Sequence, residues 1–229
     1  MRFTVAFIIF LSFQVGYGQD YIIEYQKSKD LGSAKEIVLP FNYELRVSGN
    51  KSSFKATGEL PVNEKFGRGK VLGRLVFSDS GQEVVVYDAN SKNHMSYSSF
   101  LGNPAVIENN PLVEWEITNE RQMIGEYLCY KAVGNLKDVV GLKGDNGKGR
   151  SYEAWFTPSI PSKVGPPFYY NLPGLVLFGT DQNGVSYLVQ KIKQEKPGSV
   201  VLEKMPDIRH VSHTDYVEQM VLFIKEHSR

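Results

Sequence analysis

The sequence predicts a mainly β, β-dominated α+β fold: a single highly curved antiparallel sheet of about ten strands with a C-terminal helix packed on it. Three observations predict it. Apolar residues recur with period two along most of the chain, Gly-, Asn- and Asp-rich turns punctuate those runs, and only the last segment keeps a helical period. Some 200 residues suit one domain of this class, and no internal repeat or Pro/Ser linker divides them.

The amino terminus has the layout of a secretory signal peptide. Arg2 supplies the positive n-region, Val5 to Phe13 form a short apolar run, and Gly16 and Gly18 put small residues before Gln19. The run is too short to span a bilayer, which takes roughly 20 residues. No cysteine follows it to accept a lipid. The expected division is therefore a signal peptide over 1–18 and one β-rich domain over 19–229. Cleavage removes Arg2 and no acidic group, leaving 25 basic against 25 acidic residues. Such neutrality argues against nucleic acid, which requires a basic footprint, and against adhesion to anionic membranes.

Strands are expected at Tyr21–Tyr25, Tyr43–Val47, Ser53–Thr57, Lys70–Phe77, Glu83–Asp88, Ser151–Thr157, Gly174–Thr180, Tyr187–Lys193 and Val200–Glu203. In LVEWEITN, Val113, Trp115 and Ile117 alternate with Glu114 and Glu116; in EYLCYKA, Leu128, Tyr130 and Ala132 oppose Tyr127, Cys129 and Lys131. Turns are expected at Gly49-Asn50, Asp79-Ser80-Gly81, Gly134-Asn135 and Asp181-Gln182-Asn183-Gly184. GLKGDNGKG reads as a glycine-dense loop. At the carboxyl end, Ser212 and Asp215 form a capping-box-like start. Val217, Met220, Val221 and Ile224 then make one apolar helical stripe, expected to cover the concave side of the sheet.

The densest segment is SYEAWFTPSIPSKVGPPFYYNLPGLVLFGT. Prolines at 158, 161, 166, 167 and 173 deny the backbone amide donors, so the stretch cannot lie in a central ladder. It must cross an edge or rim, anchored by Phe168, Tyr169 and Tyr170, with Gly174 expected to supply a positive φ before the next strand. This segment resembles the signature of the GLPGLI family of exported bacterial proteins. That pattern is A-W-[FY]-T-x-x-I-P, then G-P, an aromatic, and G-L-P-G-L-I. Ala154, Trp155, Phe156, Thr157, Ile160, Pro161, Gly165, Pro166, Leu172, Pro173, Gly174 and Leu175 match it. Asn171 stands where the family has its first Gly, and Val176 where it has Ile. Asn is the residue best able to replace Gly at positive φ. Trp115, Ile117, Ile124, Gly125, Tyr127, Cys129, Lys131 and Ala132 resemble the family's upstream stretch as well. The resemblance implies export and a β-rich fold, and it brings no catalytic residues with it.

Candidate chemistry is thin. Cys129 lies mid-strand among bulky apolar neighbours with no histidine near it in sequence, as a core filler would. His210 and His213 precede the helix, so their H-x-x-H spacing does not set two imidazoles on one helical face for zinc. Gly144 to Gly149 lacks the spacing of a phosphate loop, and no G-x-S-x-G occurs. No cofactor, metal site or catalytic residue is expected. The remaining candidate is a binding rim built by Trp155, Phe156, Pro161, Pro166, Phe168, Tyr169, Tyr170, Leu172, Pro173, Gly174 and Leu175. Prolines make such a surface rigid before binding, and aromatics are favoured anchors. The expectation is an exported, non-enzymatic envelope accessory protein, periplasmic or extracellular. It would bind an apolar small molecule or an envelope protein partner at that rim. The alternatives are a structural or interaction protein without a cavity, or an enzyme using His210, His213 or Cys129. A hollow concave face would favour the first, a packed one the second.

Overall fold

The computed structural model describes residues 19–31, 34–57, 84–98, 104–136 and 150–227. The signal peptide, the strand at Lys70–Phe77, the turn at Asp79-Ser80-Gly81 and the glycine-dense loop lie outside the described residues. Among the described residues twelve strands form one open, curled sheet: β1 (Asp20–Leu31), β2 (Ala34–Ser48), β3 (Lys51–Thr57), β4 (Val84–Asp88), β5 (Asn93–Ser98), β6 (Ala105–Glu108), β7 (Glu114–Ile124), β8 (Tyr127–Leu136), β9 (Arg150–Thr157), β10 (Leu175–Asp181), β11 (Val185–Glu195) and β12 (His210–Ser212). Their order is β12-β6-β5-β4-β3-β2-β1-β11-β10-β9-β8-β7. Two meanders, β1 to β6 and β7 to β11, are thus joined where β1 pairs with β11. Every pairing is antiparallel except β12 with β6, which is parallel.

Alternation builds the two faces. Tyr21, Ile23 and Tyr25 of β1 oppose Val47, Leu45 and Tyr43 of β2, and the side chains of all six are buried on the inner, concave face. Phe54 of β3 and Tyr87 of β4 continue the layer. Tyr43 stacks on Phe54 at 5.1 Å, and Tyr187 of β11 meets both rings edge-on. Bulges between Glu24 and Tyr25, Val176 and Phe178, and Ile117 and Arg121 raise the local twist and bend the sheet.

Several expectations are corrected. Val200–Glu203 is no strand. It is part of a strap over 196–209 whose backbone is held by side chains on the outer face: Val200 N donates to Asp20 Oδ2 (3.0 Å) and Glu203 N to Ser53 Oγ (3.0 Å). Arg46 Nη1 donates to the Val201 carbonyl at 3.0 Å, and Lys55 pairs with Glu203 at 2.5 Å. Gly134-Asn135 is not a turn but lies inside β8, paired with Trp115 and Glu114 of β7, and a Cβ at Gly134 would run into the Val113 and Trp115 side chains. The chain reverses instead at Gly125, whose φ is +59°. The turn at Gly49, also φ +59°, and that before Val185, where Asp181 Oδ1 accepts from the Asn183 and Val185 amides, fall where the sequence puts them.

The helix α1 (His213–His227) starts as expected, with Asp215 N donating to Ser212 Oγ at 3.1 Å. It does not cover the concave face. Its main contacts are with β6 and β12 at one edge, where Val217 is buried and Tyr216 OH meets Ser98 Oγ at 2.8 Å. Residues 158–174 occupy the concave face in its place.

Candidate functional site

The segment over 158–174 links β9 to β10, which pair with each other, so it is a long hairpin loop folded back over the inner face. Deprived of donors at five prolines, it satisfies its remaining amides largely within itself. Tyr169 N donates to the Pro166 carbonyl (3.0 Å), Asn171 N to that of Lys163 (2.8 Å) and Leu175 N to that of Ile160 (2.9 Å). Two non-glycine residues of the ribbon adopt the left-handed region, Phe168 at φ 73° and Asn171 at φ 65°. Asn171 fits there at low cost, as its place in the GLPGLI-like pattern leads one to expect. Phe168 does not.

The ribbon ties both halves of the curl together. Tyr170 stacks on Tyr87 of β4 at 4.0 Å while its carbonyl accepts from Trp115 Nε1 of β7 at 2.9 Å. Tyr87 OH donates to Asn171 Oδ1 at 2.8 Å. Tyr169 stacks on Trp115 at 5.9 Å and meets Tyr152 and Tyr187 edge-on. Below it lies Gly179, where a Cβ would stand 2.5 Å from the Tyr169 ring. Burial pushes the Tyr169 and Tyr25 hydroxyls well above the usual phenol range. Tyr25 OH donates to the Val176 carbonyl at 2.7 Å.

Of the sequence-predicted rim, Phe156, Pro166, Tyr169, Tyr170, Leu172, Gly174 and Leu175 are buried, Phe168 is half-buried, and Pro161 and Pro173 are exposed. Tyr169 and Tyr170 keep only 2% of their surface, so the rings close the concave face rather than line an open lip. Trp155 is buried too, but not on that face. Strand parity turns it outward opposite Lys131, with its Nε1 donating to Glu153 Oε1 at 3.0 Å and the Lys131 ammonium 5.8 Å above its ring. Hydrogen bonds that the Lys131 ammonium donates to Glu153 and Glu120 hold its pKa above the ordinary value. Gly174 does not have a positive φ; its missing side chain lets the backbone pass Thr157 and Pro158.

Sequence reasoning singled out neither Tyr87 nor His94. In the structure burial lowers the His94 pKa, and the charge of His213 lowers it further. His94 lies buried under the ribbon, against the rings of Phe168 and Tyr170. His210 instead pairs with Glu108, Nδ1 to Oε1 at 2.6 Å, on the β12–β6 edge. Cys129 is buried on β8, with its Sγ 3.7 Å from the Tyr127 carbonyl. Among the described residues no three His, Cys, Asp or Glu converge as metal ligands. Burial pushes the Cys129 thiol up to about 11, so only about one molecule in a thousand carries a thiolate at pH 8. Ellman's reagent at pH 8 is expected to leave native Cys129 unmodified over an hour and to titrate one thiol in guanidinium. Prompt labelling of the native chain would contradict this placement.

A sequence-family profile described as "Protein of unknown function (Porph_ging)" matches residues 142–178, the ribbon and its flanking strands. No curated protein matches the chain. Among solved structures the chain is similar to PNGF-II in its P21 crystal form, with TM-score 0.57 and 18% identity over 90% of this chain and 33% of that one. The C2 form gives TM-score 0.55 and 17% identity over the same shares. The chain thus spans about a third of the length of PNGF-II, and the likeness is one of fold. A LolA superfamily protein from Nitrosomonas europaea overlaps at TM-score 0.31 and 10% identity, covering 82% of this chain and 88% of that one. That overlap is too low to carry an argument. What fold and site define together is a class: a curled, β-dominated domain whose concave aromatic face is closed by its own proline-stiffened loop. Among the described residues no helix is long and apolar enough to cross a membrane.

Proposed function

We propose that this chain is a GLPGLI-type exported accessory protein of the bacterial cell envelope that works by binding rather than catalysis. In this reading residues 1–18 are removed, and the ribbon governs access to the concave face. An apolar ligand or a protein partner engages that face when the ribbon yields. The observation that carries the reading is the closure itself: an aromatic inner face covered by a loop that makes few ladder bonds and holds Phe168 in a costly conformation. Strained, self-bonded covers of this kind are cheaper to displace than a strand. On the β7–β8 hairpin, Ile117 (52% exposed) and Met123 (60%) present apolar surface to solvent.

The same packing favours a second reading, in which the ribbon is a permanent clasp and the protein has no ligand cavity. Delipidated protein titrated with phospholipid and fatty-acid micelles separates the two. Saturation at about 100 Kd adds about 2.7 kcal/mol, hence a rise of about 5–10 °C in Tm for a domain of this size. A flat titration removes the ligand reading and leaves the clasp. Amino-terminal sequencing of protein recovered from cells is expected to begin at Gln19. A start at Met1 removes the export part.

A further inference from the structure

We propose that His94 is an acid-sensitive latch on the ribbon: protonating its imidazole releases the turn at Phe168–Asn171 from the concave face while the sheet stays folded. The latch concerns the ribbon itself and does not depend on what the concave face binds.

The geometry sets His94 on the inner side of β5, opposite Tyr87, with 2% of its surface exposed. Three rings enclose it edge to face: Tyr170 at 5.0 Å, Phe168 at 5.8 Å and Tyr87 at 6.3 Å. Two of the three belong to the ribbon. The imidazole hydrogen-bonds to the Pro111 backbone, and among the described residues its Nδ1 has no hydrogen-bond partner. The backbone around it is fully engaged, since Asn110 N and Nδ2 both donate to the His94 carbonyl. Among the described residues the titratable groups facing it are Tyr87 from β4, Tyr170 from the ribbon and His213 from α1, and none supplies a negative charge near neutrality. A proton on Nδ1 would therefore put a buried charge beside an aromatic wall, with no carboxylate to balance it and no acceptor for the new N–H.

Water must reach the ring to relieve this, and the ribbon is the weakest wall. β5 is laddered to both β4 and β6. The ribbon turn, by contrast, pairs with no strand: it is held by packing, by its own backbone turns and by side-chain hydrogen bonds such as those from Tyr87 and Trp115, and its left-handed Phe168 relaxes on leaving. Burial, with smaller opposing help from the Pro111 hydrogen bond and a further lowering by His213, takes the imidazole from 6.5 down to about 4. The sign follows: the seated ribbon is fully favoured above about pH 6.5. Its advantage falls roughly tenfold per pH unit as the medium acidifies toward 4.

Trp115 reports the seat directly, because its indole bonds the Tyr170 carbonyl and stacks on Tyr169. With Trp155→Phe removing the other of the two tryptophans, acid titration from about pH 7.5 is expected to shift Trp115 emission to longer wavelength, reversibly. Far-UV circular dichroism should hold constant across that change. His94→Phe, which cannot take a proton, should move the midpoint down by at least one pH unit. If His94→Phe does not fold, amide exchange on the unmodified chain decides. The Tyr169 and Asn171 amides, corrected for intrinsic rate, should lose roughly tenfold in protection per unit below pH 6.5 while β1 amides do not. An unchanged midpoint in His94→Phe, or Trp115 moving only when the dichroism collapses, overturns the latch. So does uniform loss of amide protection.

Discussion

Gly174→Ala is expected to cost at least about 3 kcal/mol and to lower Tm by about 6–12 °C in differential scanning calorimetry. A Cβ at this position would stand 2.5 Å from the Thr157 carbonyl carbon and 2.9 Å from Pro158 N, both of them backbone atoms. A flexible side chain would yield to such an intruder. Backbone on both sides cannot, because Thr157 and Leu175 are paired at the ends of β9 and β10. The conformation itself is open to any residue, since Gly174 is not left-handed. The defect is therefore purely one of space, and serine should be no better than alanine. A Tm within 2 °C of the unmodified protein would show that the two strand ends are not held this closely.

Tyr169→Ala is expected to cost about 3–5 kcal/mol, the range for emptying a large buried ring site. The ring touches Trp115, Tyr152 and Tyr187 and lies over Gly179, so its loss opens a void bounded by four strands. Trp115 emission should redden at neutral pH, because water enters beside the indole. The converse replacement, Gly179→Ala, drives a methyl to 2.5 Å from the same ring and should destabilise by about 1–3 kcal/mol. Combined, the two should recover at least about 1 kcal/mol relative to their sum, as the new methyl occupies part of the void. Strict additivity in urea unfolding would mean that Tyr169 does not rest on Gly179.

What was legible in the sequence was what is local. β1, β2, β8, β9, β10 and β11 announce themselves by alternation, and the proline-rich connector by the donors it lacks. Asn171 at φ 65° could be anticipated, because its place in the GLPGLI-like pattern is occupied by the residue type suited to left-handed backbone. What escaped was set by partners distant in the chain. β5 reads NHMSYS, in which Met95 and Tyr97 look like the inward residues. Pairing with β4 turns His94 and Ser96 inward instead, where the ribbon rings enclose the imidazole. β12 is three residues long and pairs in parallel with β6, a contact no local pattern encodes. The side on which the ribbon lies could not be read either, since proline loops carry no period. The aromatic rings that suggest a lip serve equally well as a plug. Gly174 shows the same ambiguity, for a glycine chosen for closeness looks in sequence like one chosen for its φ.

The seam between β1 and β11 has a consequence for how the molecule comes into being. Residue 20 lies opposite residue 195, so the first strand stays half-bonded until nearly the whole chain has been delivered. The amino-terminal strands β1 to β6 can zip in order of synthesis, yet β1 offers a bare flank until the second set arrives. Closing so long a loop is entropically slow. A chain interrupted before Val185 would present that flank to any passing strand.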